Sequence, residues 1–285
     1  MPPGMNKKLE NVIENSFPVS IKLIRKMQEM GIEIGRRAKL ADMLIRIGHS
    51  KDNDLIKNVL IRCLEEQRED GGWGTIEETL ICLRFIAHFR EDRNISIRVN
   101  KAIRWLFLVK NKKGGWGRSL RDRSRIPMTF RVVEDFKKLG LPLNNRILEA
   151  YTWMENEWWK DVSFSGLSYK ASGILIANKC YQNIFSKEII DRTIDWLLKD
   201  QNKDGGWGPN KYSPVGSSAV FTPLAIRALL NYDSPEIRKA IDLGLKWIIK
   251  NQQKGGQWKE HPPEDGIIGC LNLINTILSG NQSNI

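Results

Sequence analysis

Gln201 to Gly208 reads QNKDGGWG and Gln67 to Gly74 reads QREDGGWG, two octapeptides that agree at six positions. Widening the window reveals four related phrases: Arg62 to Gly74 (RCLEEQREDGGWG), Trp105 to Gly117 (WLFLVKNKKGGWG), Trp196 to Gly208 (WLLKDQNKDGGWG) and Trp247 to Lys259 (WIIKNQQKGGQWK). In each, a tryptophan (Trp73, Trp116, Trp207 or Trp258) stands eleven residues after the first position, and Gln67, Gln201 or Gln252 holds the sixth position in three of them. Lys110 takes that place in the second copy, and a decayed fifth copy keeps the register from Trp153 to Phe164. A recurrence of this length marks a repeat architecture. The chemistry of the phrase predicts a helix ending at the Gln, a Gly-Gly reversal, and an aromatic ring packed over the turn.

Helical periodicity flanks the turns. Leu55, Ile56, Val59, Leu60, Cys63 and Leu64 precede the first copy, and Leu80, Leu83 and Ile86 follow it. The same reading along the chain predicts twelve helices, starting near residues 20, 35, 53, 76, 95, 127, 143, 167, 187, 219, 235 and 266. They pair into six hairpins over residues 20–285, behind an N-terminal extension at 1–19. Six two-helix units with a Gln, a Gly pair and an aromatic at their turns are expected to close into a ring, an all-α (α/α)6 toroid. An open solenoid has no need of such turns.

The remaining composition narrows the class. The chain has 285 residues, 41% hydrophobic and 27% charged, enough for a substantial core. No apolar run approaches the roughly 18 residues of a membrane span. The opening MPPGMNKKLENVIENS is not a secretory signal, so a cytoplasmic location is expected, with the basic surface allowing contact at the membrane periphery. Cys63, Cys82, Cys180 and Cys270 lie far apart in apolar segments and read as buried reduced thiols. A net charge of +12 favours anionic partners, and the scattered basic residues match no nucleic-acid-binding signature.

The Gln-x-x-Asp-Gly-Gly-Trp-Gly phrase resembles the QW repeats of squalene-hopene and oxidosqualene cyclases, shared more loosely by the β subunits of protein prenyltransferases. The likeness covers about residues 50–280. It implies a toroid in which the helix before each turn is outer and the helix after it inner, with inner-helix N-termini gathered around a cavity mouth. Free N–H groups and positive dipole ends there would suit a diphosphate or carboxylate. Triterpene cyclases of this kind carry two such domains, and this chain corresponds to one.

Cyclases of this type place an Asp-x-Asp-Asp-Thr motif at the start of an inner helix, where its acid protonates an alkene or epoxide. Thr222 fits the end of that frame, but Ser218 to Phe221 carry no acid. Glu77 with Glu78 and Glu264 with Asp265 occupy the final acidic positions in two other repeats, and these four are the catalytic candidates. Acidic residues are also favoured in the first turn of any helix, which supplies the ordinary alternative. The prenyltransferase zinc set, Asp-x-Cys with a distant His, is absent; His261, Asp265 and Cys270 are the nearest assembly, and no metal site is expected. Arg118, Arg121, Arg123 and Arg125, with Arg131 one turn later, would clamp a polyprenyl diphosphate or an anionic headgroup, with Mg2+ accompanying a diphosphate. Tyr169, Tyr212, Phe221 and Phe130 are candidate cavity aromatics, sparse for guiding a polyene. Two functions follow: an isoprenoid-handling enzyme of terpene-cyclase type, cyclising a prenyl diphosphate or related polyprenyl lipid, or a non-catalytic toroid that binds a lipid or a peptide at the cavity mouth, with a partner protein within its reach.

Overall fold

The computed structural model describes residues 4–160 and 168–282, and Phe164 lies outside them. Its helices are α1 (Met5–Glu29), α2 (Ile34–Arg46), α3 (Asp54–Glu66), α4 (Ile76–Ile86), α5 (Arg93–Leu108), α6 (Ile126–Lys138), α7 (Asn145–Lys160), α8 (Ser168–Cys180), α9 (Lys187–Lys199), α10 (Phe221–Leu229), α11 (Pro235–Asn251) and α12 (Pro263–Gln282). No strand occurs among the described residues. The even-numbered helices form an inner ring, each packing on the next, and α12 packs back onto α2. The odd-numbered helices surround it, and α1 closes the outer layer against α11 and α12. The chain is an all-helical α/α toroid.

Eleven of the twelve helices start within three residues of the sequence reading. The exception is α1, which begins at Met5 rather than near residue 20, so the stretch 1–19 is no separate extension in the described part. Pro18 lies inside this helix, although proline removes one i→i−4 hydrogen bond and crowds the preceding turn. Tertiary packing overrides it: Met5, Leu9, Val12, Ser16, Ser20, Ile24 and Met27 form one buried stripe that runs through Pro18.

The repeated phrase has one geometry in its four copies. Each tryptophan indole N–H donates to the carbonyl ten residues back: Trp73 to Cys63 (2.8 Å), Trp116 to Leu106 (2.7 Å), Trp207 to Leu197 (2.8 Å) and Trp258 to Ile248 (2.9 Å). All four rings are buried, and each satisfies a carbonyl in the last turn of an outer helix that would otherwise have no partner. In three copies the tryptophan backbone N–H donates to a threonine of the following inner helix, Thr79, Thr129 or Thr222, at 2.9–3.0 Å. Thr222 therefore has a structural task shared with two other repeats.

The Gln spans two repeats. Gln67 Nε2 donates to Gly71 O and to Arg98 O of α5, and Gln201 Nε2 to Gly205 O and to Ala240 O of α11. Gln252 Nε2 does the same for Gly256 O and Val12 O of α1, so the last turn is tied to the first helix. Lys110 replaces this bridge with an ion pair to Glu149 of α7. The Asp of the phrase reaches forward as well: Asp70 and Asp204 each accept from the indole N–H of the next outer helix, Trp105 and Trp247, at 3.0 Å. At the first glycine of the pair, backbone of the neighbouring outer helix leaves no room for a side chain. A Cβ on Gly205, at φ +92°, would lie 2.8 Å from Leu243 O.

Candidate functional site

Inner-helix N-termini meet at one end of the ring, but their N–H groups are largely occupied. Ile76 N and Glu77 N of α4 donate to Arg118 O, and Ser168 N of α8 donates to Pro209 O. Ala219 N, just before α10, donates to Glu260 Oε1 at 2.6 Å. In each case the acceptor stands two residues after the turn tryptophan of the next repeat, so closing the ring consumes donors that the sequence reading left free for a ligand. Side chains, not helix ends, therefore set the chemistry of this mouth.

Glu77 sits at its centre and is not an acid poised to give up a proton. Arg118 donates to Glu77 Oε2 from Nε (2.8 Å) and from a terminal nitrogen (2.6 Å), and Arg131 donates to Glu77 Oε1 at 2.9 Å. Burial alone would raise this carboxyl, but the Arg131 guanidinium, helped by Arg118, holds it below the usual carboxylate range. Protonating an alkene needs the reverse, a carboxylic acid kept neutral. Glu78 leans on Gly35 of α2, outside the central cavity, and burial, reinforced by Glu33 and Glu66, raises its carboxyl. Glu264 is 1% exposed, takes Arg36 on Oε1 and leaves Oε2 without a partner. Of the four acids Glu77 and Asp265 reach the cavity wall, Asp265 paired with Lys39 of α2.

The predicted arginine clamp is dispersed. Arg118 and Arg131 converge on Glu77, Arg125 closes on Asp122 at 2.8 Å, and Arg121 and Arg123 are exposed. Arg123 lines a surface groove beside α7 rather than the ring centre. Tyr212 is 91% exposed on the loop before α10, which removes it from the cavity lining. Tyr169 does line the cavity, with Phe130 (5.7 Å) and Phe221 (6.2 Å) packed around its ring. Cys270 is buried in the core, and no cluster of His, Cys, Asp or Glu suited to a metal occurs among the described residues.

The centre of the ring is two chambers rather than one apolar cavity. The upper chamber, about 240 Å3, has an apolar wall of Tyr169, Val220, Pro223, Leu224, Ile268 and Leu273 from α8, α10 and α12. Its other wall carries Lys39, Glu77, Arg84, Arg131 and Glu134 from α2, α4 and α6, with Arg227 and Asp265 between. The lower chamber, about 350 Å3, lies at the C-terminal ends of the inner helices. Arg84, Glu134, Arg227 and Asn272 border both. Arg227 reaches Glu134 at 3.2 Å, and Lys138 reaches its other oxygen at 2.8 Å. Burial opposes the charge on Glu134, yet Arg227 and Lys138 hold it ionised, well below the ordinary range. Behind this layer Asp135 is 1% exposed, 3.5 Å from Arg84, and raised by burial.

The sequence reading missed Arg84 and Arg227. Each is a lone cation in an apolar inner helix (TLICLRFI and TPLAIRALL), and that isolation was the available signal.

Comparisons with known proteins agree with this architecture. The chain is 24% identical over 194 residues to the squalene-hopene cyclase of Zymomonas mobilis, covering 56% of this chain and 29% of that one. It is 24% identical over 258 residues to a terpene cyclase-glycosyl transferase fusion protein of Humicola fuscoatra, covering 70% of this chain and 19% of that one. It thus spans less than a third of either relative. A type II terpene cyclase from Scytonema, MstE, solved in complex with geranylgeranyl dihydroxybenzoate, superposes with a TM-score of 0.71 over 98% of this chain and 99% of that chain. At 13% identity that likeness carries the fold alone. Residues 120–266, from the loop before α6 to the start of α12, match the squalene-hopene cyclase C-terminal domain, and the chain belongs to that family.

Proposed function

We propose that the protein handles an isoprenoid that carries an anionic end group, holding that end in the upper chamber. The observation that carries this reading is the two-sided lining, with Tyr169, Val220, Leu224 and Ile268 on one wall and Lys39, Arg131 and Arg227 on the other. The structural neighbour MstE holds geranylgeranyl dihydroxybenzoate, which has the same division into apolar chain and polar head. At about 240 Å3 the chamber is smaller than the roughly 300–1,000 Å3 of typical ligand sites. It accommodates the end of a long isoprenoid and leaves the rest to extend through the mouth. Binding is the primary activity in this reading, because Glu77 is held ionised by two guanidinium groups.

Asp265 supports a second, enzymatic reading: it shares the chamber wall with Glu77, but pairs with one lysine, Lys39, where two guanidinium groups hold Glu77. Incubation of the purified protein with geranylgeranyl diphosphate and with a cell lipid extract, followed by mass spectrometry of bound and released species, separates the two. An isoprenoid retained unchanged, and lost on Leu224→Arg, supports binding. A cyclised product that disappears with Asp265→Asn and survives Glu77→Gln supports catalysis with Asp265 as the acid. A protein that neither retains nor converts any isoprenoid overturns both.

A further inference from the structure

The lower chamber belongs to neither reading. Six cationic side chains border it, Arg46, Arg84, Lys137, Lys138, Lys179 and Arg227, against two carboxylates, Asp42 and Glu134. Both carboxylates are already committed: Asp42 accepts from Arg46 Nε at 3.0 Å and from His88 Nε2 at 2.8 Å, and Glu134 from Lys138 and Arg227. Lys137 and Lys179 have no carboxylate partner among the described residues. Their ammonium groups, on exposed side chains, lie instead over the rings of Tyr181 (5.2 Å) and Tyr232 (4.9 Å). Arg227 keeps a buried Nε–H that finds no hydrogen-bond acceptor, and Arg84 Nε has only the buried Asp135 carboxylate, at 3.5 Å. Cations in the last turn of a helix complement its dipole, which accounts for one such residue per helix. It does not account for their convergence on a shared hollow of about 350 Å3 with donors left over.

We propose that the lower chamber is a binding site for a phosphate-bearing polyanion of the diphosphate class. Such an ion has oxygens enough to meet the two unpaired lysines together with the guanidinium groups of Arg84 and Arg227 that border the chamber. Lys137 and Lys179 belong to this chamber alone, although Arg84, Glu134, Arg227 and Asn272 border the upper one as well, and the proposal stands whether or not the upper chamber takes an isoprenoid.

Titration calorimetry of the full chain with inorganic diphosphate, at low and at physiological ionic strength, tests the proposal. The expected result is saturable binding of one ion per chain, at least about tenfold weaker in the Lys137→Ala/Lys179→Ala protein. Lys187→Ala/Lys199→Ala, which removes the same charge from the outer helix α9, leaves the affinity unchanged. Should the chamber variant fail to fold, protection of Lys137 and Lys179 from amine-reactive labelling by diphosphate in the wild-type chain gives the same answer. Geranylgeranyl diphosphate as a second titrant separates the sources. Equal affinity assigns the site to a free ion, and tighter binding assigns it to the headgroup of a lipid. No saturable binding of inorganic diphosphate at either ionic strength, or full binding by the chamber variant with no labelling protection, overturns the proposal.

Discussion

Glu77 shows how one residue can match a pattern while its environment reverses the chemistry. Its place in the first turn of α4 was legible, but its ionisation is set by Arg118 and Arg131, 41 and 54 residues away in sequence. No local pattern reports a partner at that separation. Glu77→Gln should therefore destabilise the fold by about 2 kcal/mol, because the half-buried Arg131 guanidinium loses its counter-charge. Denaturant unfolding at neutral pH measures it. The sign of the pH dependence follows from the lowered carboxyl: the stabilisation is complete above the unfolded carboxylate value of about 4.3 and fades as acid titrates the folded group below it. The Glu77→Gln protein should accordingly lose less stability than wild type between neutral pH and about pH 3. Equal losses would show that the two guanidinium groups contribute nothing through this carboxylate.

The elements were more legible than the site because turn chemistry is local. Gln, Asp, the Gly pair and Trp each act within about ten residues or on the next outer helix, and the fixed spacing within the phrase places them without any long-range information. The sequence reading missed the first part of α1, where Leu9, Val12 and Ile24 belong to one buried stripe that continues through Pro18. The lone arginines of α4 and α10 went unnoticed because periodicity scores the apolar face and passes over a single charge within it. At this scale the Gln bridge is the testable part. Gln201→Ala strips two backbone carbonyls of a donor and should cost about 1–2 kcal/mol. Glu149→Ala, which removes the exposed half of the ion pair that stands in for the bridge at Lys110, should change stability little. Comparable losses in the two variants, read from urea midpoints, would mean the Gln is not the stronger fastener.

For the whole molecule, closure rests on α1. Met5, Leu9 and Val12 are buried, and at about 1.5–3 kcal/mol for each apolar side chain their removal takes away an amount comparable with the roughly 5–15 kcal/mol that stabilises an ordinary domain. The same truncation removes the Val12 and Ser16 partners of Gln252. A chain starting at residue 20 should consequently lose cooperative unfolding, and a thermal melt by circular dichroism with the full-length midpoint would refute this. The Gln252 bridge to Val12 has a wider meaning. Stacked-repeat proteins loosen from their ends inward, because a terminal unit has one neighbour and needs a special polar cap. Here the unit containing the first helix is also the successor of the last, so each repeat is flanked on both sides and there is no outermost turn from which fraying could start. A polypeptide with two ends has been made into a fold with none, and slow amide exchange should run evenly around its circumference instead of fading toward residue 5 or residue 282.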